Sequence, residues 1–169
     1  LAWLVLAPAG IFAMPHVEHL HPTTFHVHRA VMSIPFLTVL LAYILGLAAR
    51  RGGGPRARHG AGVTLAAHLV VGTTVLVLML VQVAMGGLRP AKGSARRAAF
   101  NAAHRWGGGV CALLALCNMF VGVALAGVSK GWHAAAALAA TAWAVVFTVF
   151  EYARRARVPW VADFRDPWV

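Results

Sequence analysis

Nine histidines carry most of the chemistry this sequence could do. Imidazole is the commonest metal ligand among side chains and changes charge near neutrality. His28 and His104 each lie a few residues inside a long apolar stretch, and His68 lies deeper in a third, among Leu65, Ala66, Ala67, Leu69 and Val70 with no charged neighbour. A histidine placed in hydrocarbon is costly unless it has a partner or a job. His16, His19, His21 and His26, with Glu18 between them, could bind a metal. Their spacing fits no defined site, and a solvated segment is the simpler reading. His59 falls in a basic loop and His133 near the start of the last apolar stretch. Cys111 and Cys117 are six apart in one apolar run, so a helix turns them to different faces and pairing is not expected. No activated nucleophile, acid/base pair or phosphate-binding loop argues for hydrolysis or group transfer.

The elements that hold these residues follow from composition. Of 169 residues, 60% are hydrophobic and 11% charged, and the mean hydropathy is +0.74. A soluble domain carries roughly 25% charged residues to make its polar shell, so this chain is expected to sit in a membrane. The apolar runs are Leu1–Ala13, about Phe25–Ala49, about Ala61–Leu88, about Phe100–Val128 and about Trp132–Tyr152. The last four are long enough to cross a ~30 Å hydrocarbon core at ~1.5 Å per residue. The first is too short, and the sequence is expected to begin part-way through a helix. The predicted fold is all-α: a polytopic transmembrane bundle of about five helices, the first incomplete. Residues 1–152 form the transmembrane core and residues 153–169 a basic, aromatic tail. Short loops make sequence neighbours antiparallel neighbours, and frequent Ala and Gly suit close helix packing in lipid.

The formal net charge of +11 would suggest nucleic acid in a soluble protein. Here the cations cluster between apolar runs, which points to anionic lipid headgroups and topology, and no nucleic-acid partner is expected. One face, side A, holds Arg50, Arg51, Arg56, Arg58 and Lys130. The other, side B, holds Arg89, Lys92, Arg96, Arg97, Arg154, Arg155, Arg157 and Arg165, with Arg29 and Arg105 just inside helices. The excess marks side B, and with it the C-terminus, as cytoplasmic.

Topology then groups the histidines. The second and fourth helices run in the same direction, so His28 and His104 stand at side B at similar depth. Two imidazoles from facing helices are what a bis-histidine haem needs; two interfacial histidines wetted by headgroups are the plain alternative. His68 stands near side A. It is a ligand with a mate upstream of Leu1, a ligand paired with His133, or a lone polar group satisfied by a neighbouring carbonyl. Gln82 and Asn118 are polar groups within spans, each placed to contact a haem propionate or, more simply, to hydrogen-bond between helices.

The order of motifs resembles the cytochrome b561 core, and more narrowly the form found with DOMON domains and in related ferric reductases. The first run has Leu1-Ala2-Trp3, Pro8 and Gly10, and the second Phe25 and His28. The third has His68, Gly72, Gln82 and Leu88-Arg89-Pro90. The fourth has Phe100-Asn101, His104, Gly108, Asn118, Phe120 and Gly122, and Trp132 opens the fifth. The likeness covers the chain to about residue 150. Phe100 stands where the family has tryptophan, and Met14-Pro15 where an Ala-Arg step is common.

The resemblance implies two b-type haems in the full-length protein, held by one histidine on each of four consecutive helices. His28 would pair with His104, and His68 with a histidine about eight positions before Trp3, outside this sequence; His133 becomes the weaker alternative. One haem site would be complete within the chain. The two ligand layers are expected roughly 20 Å apart along the membrane normal. The implied work is transmembrane oxidoreductase chemistry in a plasma or internal membrane. The donor would be cytoplasmic ascorbate, and the acceptor monodehydroascorbate, a ferric chelate or an attached DOMON haem. Arg89, Lys92, Arg96, Arg97 and Arg105 are candidates to dock an anionic donor, or serve only topology and lipid. A structural or assembly subunit of a larger complex, with one haem or none, is the alternative from another class. A channel or transporter is weaker, because Glu151 is the only acidic residue in a span and lies at its end.

Overall fold

The computed structural model describes residues 7–8, 10–11, 23–51, 61–91 and 93–155. All regular structure among them is helical. Residues 7–8 and 10–11 are helical (α1). Four long helices follow: α2 (Thr23–Arg51), α3 (Ala61–Gly87), α4 (Arg97–Leu125) and α5 (Lys130–Arg155). Each contains a stretch apolar and long enough to span a membrane: Phe25–Ala49, Thr64–Gly87, Arg97–Leu125 and Lys130–Val149. The protein is a multi-pass membrane protein, and its described residues form an all-helical bundle.

The surface agrees with that environment. Ile34, Leu37, Leu41, Ile44 and Leu45 of α2 are exposed, as are Val70, Val77 and Val81 of α3 and Leu138, Val145 and Phe147 of α5. Water would penalise so continuous an apolar surface, whereas lipid does not. Five hydroxyls in the spans are satisfied within their own helices. Ser33 donates to the Arg29 carbonyl, Thr38 to Ile34, Thr73 to Leu69, Thr74 to Val70 and Thr148 to Ala144. Bonding four residues back keeps these five donors from lying bare in hydrocarbon. Pro35 interrupts the hydrogen-bond ladder of α2, but it is fully buried, so that gap faces protein.

Helices α3 and α4 form the central antiparallel pair, with α2 packed on α3 and α5 on α4. The core is Val75 and Met79 of α3 against Cys111 and Ala115 of α4, with Phe36 and Val39 reaching in from α2. Both cysteines are free, and only Cys111 is buried. The α3–α4 connection closes through Arg97, which donates to the Pro90 carbonyl. The α4–α5 connection turns on Gly127, whose φ of 63° is left-handed and disfavours any side chain.

Several boundaries differ from the hydropathy reading. Helix α4 begins at Arg97 rather than Phe100 and ends at Leu125 rather than Val128. Helix α5 continues to Arg155. A hydropathy boundary marks where apolar residues start, while a helix continues into the headgroup layer as long as its backbone bonds are made.

Candidate functional site

Three polar side chains meet the α3–α4 interface, and each lies against a glycine of the opposite helix. A Cβ on Gly107 would approach the Gln82 carboxamide to 2.5 Å, one on Gly72 the Asn118 amide nitrogen to 3.0 Å, and one on Gly122 the His68 ring to 2.9 Å. Glycine at these three places lets the helices close around side chains that lipid would not accept.

At one end of the pair, the structure brings His28 of α2 and His104 of α4 together. Their ring centroids are 6.5 Å apart. Metal–imidazole bonds are ~2 Å long, so two rings bound on opposite faces of one metal have centroids roughly 6 Å apart. Both rings are half-buried. His28 Nδ1 lies 3.1 Å from the Gly10 carbonyl, which can only accept, so this nitrogen carries the proton and Nε2 keeps its lone pair. His104 stacks on Phe100 with centroids 5.8 Å apart and planes 6° from parallel. Gln82 reaches His104 from α3. With its nitrogen toward the histidine it donates to the His104 carbonyl (3.1 Å) and Nδ1 (2.7 Å), and its oxygen accepts from the Gly108 amide (3.2 Å).

Cations surround this end. Arg89 and Arg29 lie 5.3 and 5.8 Å from the Phe25 ring centre, and Arg97 lies 6.0 Å from that of Phe100. Burial and the neighbouring Arg97 charge hold the Arg89 guanidinium below its ordinary range. Its protonated state therefore gains from a nearby anion. Arg96 and Arg105 are exposed. Lys92 lies outside the described residues.

His68 stands at the other end, level with Gly122. Its Nδ1 is buried and finds no hydrogen-bond partner among the described residues, and the same holds for Asn118 Oδ1. Gln82, which reaches His104, is fourteen residues from His68 along α3, or ~21 Å of helix. His133 makes a local contact, its Nδ1 3.3 Å from the Ser129 carbonyl one turn back. His26 is exposed, while His16, Glu18, His19 and His21 lie outside the described residues. Among the described residues no three His, Cys, Asp or Glu side chains cluster as a metal site. A haem iron asks for only two protein ligands, and the His28–His104 pair fits that requirement.

The chain has named relatives. The similarity is to cytochrome b561. A cytochrome b561 and DOMON domain-containing protein of Arabidopsis thaliana is 31% identical over 145 residues, covering 83% of this chain and 37% of that relative. A second Arabidopsis protein of that name is 26% identical over 155 residues, covering 91% of this chain and 37% of the relative. A protein named for ferric-chelate reductase, from Xenopus laevis, is 26% identical over 134 residues, covering 74% of this chain and 21% of the relative. The chain thus spans well under half the length of the curated relatives it matches. No protein-family model and no solved structure gives a match. The named relatives support a b561-like chain and, in general terms, b-type haem.

The sequence reading missed the second contact of each side-B histidine. Gly10 and Gln82 were both visible as motif residues, but neither position announces a partner on another helix.

Proposed function

We propose that this chain carries electrons through a membrane on b-type haem, which His28 and His104 would hold at side B. The observation that carries the reading is the pair of half-buried imidazoles at ligand spacing, with the His28 Nδ1 proton committed to Gly10. Bound there, b-type haem supplies reversible one-electron oxidation and reduction. The residues supply the rest. His28 and His104 present nitrogen from two helices, Phe100 packs one ring, and the apolar span keeps water away.

The side-A half of the proposal rests on His68. Its buried Nδ1, without a partner among the described residues, and the glycine opposite it suit a ligand whose mate is a histidine of the first helix about eight positions before Trp3, as the resemblance implies. Arg89 and Arg97, with Arg29, favour an anionic reductant at side B, taken as the cytoplasmic side. Ascorbate is the donor the resemblance implies. The relatives' names suggest a ferric chelate or an attached DOMON domain as acceptor.

The test is the visible spectrum of the purified full-length protein, oxidised and dithionite-reduced, with a pyridine-haemochrome count per chain. Two b haems are expected, His104→Ala removing one and His68→Ala the other. One haem that survives His68→Ala would confine redox chemistry to side B. A protein with no haem would be a structural bundle, and the proposal would fall.

A further inference from the structure

We infer that Gln82 is a positioning residue for His104, and that its carboxamide turns over when His104 Nε2 takes a metal. The inference rests on the haem reading above and adds a residue to it.

Gln82 is a polar side chain within the Thr64–Gly87 span, flanked by Val81 and Val83. A carboxamide left bare in hydrocarbon is expensive, so its contacts matter. It extends across to α4 and meets His104 Nδ1 at 2.7 Å. The space it occupies exists because residue 107 is glycine.

The carboxamide has a donor end and an acceptor end, and neutral imidazole carries its proton on one nitrogen only. When that proton is on Nε2, Nδ1 is an acceptor. The amide nitrogen then faces it, and the three contacts to Nδ1, the His104 carbonyl and the Gly108 amide are all satisfied. With Nε2 given to a metal, the neutral imidazole of His104 would carry its proton on Nδ1, which would then need an acceptor. Rotating the terminal amide half a turn would put oxygen where nitrogen was, and that oxygen would accept the Nδ1–H; it would also stand 3.1 Å from the His104 carbonyl oxygen, with the amide nitrogen 3.2 Å from the Gly108 nitrogen, a like-with-like cost that the Nδ1–H bond must offset. The Gly108 amide and His104 carbonyl are not orphaned, because residues four apart already bond to each other in α4. The ligand-competent tautomer is thereby held, as His28 is held by Gly10. Acceptors of this kind raise the basicity of a metal-bound imidazole.

The test uses the full-length haem-loaded protein and a potentiometric titration of each haem band. Gln82→Met keeps length but offers only a weak acceptor. It is expected to raise the midpoint potential of the His28/His104 haem, leave that of the other haem in place, and weaken haem retention about tenfold. Gly107→Ala, which drives the carboxamide aside without touching the histidine, should shift the same potential in the same direction. Gln82→Glu keeps an oxygen at the same reach and should restore retention, with the potential at or below the native value. Native haem content together with unmoved potentials in Gln82→Met and Gly107→Ala would overturn the role of Gln82 while leaving the haem reading intact. Absence of haem from the native protein would remove both. If Gln82→Met does not fold, Gly107→Ala and Gln82→Glu decide between the same outcomes.

Discussion

The two ends of the α3–α4 pair use the same residue type in opposite states. At side B, His28 and His104 face each other at 6.5 Å, and each ring has its Nδ1 engaged, by Gly10 and by Gln82. At side A, His68 presses on Gly122 with a buried Nδ1 that has no partner among the described residues, near an Asn118 oxygen in the same condition. A buried polar atom without a partner costs about 1–3 kcal/mol. On the proposed reading, the first end has its candidate ligands already held by their surroundings, and the second has polar groups whose cost is still to be met. The difference teaches that the described residues satisfy the imidazoles at one end of the pair and not at the other.

The largest effects should come from removing ligands. His104→Ala is expected to abolish haem at side B and leave side A loaded, and His28→Ala should do the same; spectra of the two variants should coincide. Loss of the side-A haem in either would break the contrast. His68→Ala should do the converse, losing only the side-A haem. A smaller effect is expected from Gly122→Ala, whose Cβ would lie 2.9 Å from the His68 ring. It should shift the side-A potential and lower its haem retention, with side B unchanged in the same titration. The smallest effect belongs to the cations. Arg89→Ala and Arg97→Ala should each raise the KM for ascorbate about fivefold, the ~1 kcal/mol expected of an ion pair at a partly exposed site. The increase should shrink at high salt, with haem content unaltered. Salt-independent KM values would assign these arginines to topology and lipid alone.

The four long helices were legible because the bilayer imposes a length. Apolar runs of 20 or more residues admit no other backbone solution in lipid. The grouping of His28 with His104 was legible too, since alternating direction puts the starts of the second and fourth runs on one side. Gln82 and Asn118 could be named as interfacial polar residues but not told apart. Gln82 crosses to His104, while Asn118 Oδ1 finds no partner among the described residues. The start of α4 at Arg97 was hidden as well, because charge marks the end of an apolar run and not the end of a helix.

By itself, then, the sequence determined the solvent, the number of long spans, their alternating direction and the ends at which His28, His68 and His104 stand. These depend on hydrophobic length and chain connectivity, which are properties of composition along a line. Only the tertiary structure decided the rotation and register of α3 against α4. That choice depends on which glycines face which large side chains across the interface, as Gly107 faces Gln82 and Gly122 faces His68. Lipid exerts no hydrophobic preference between one apolar helix face and another, so close packing and hydrogen bonding alone choose among them.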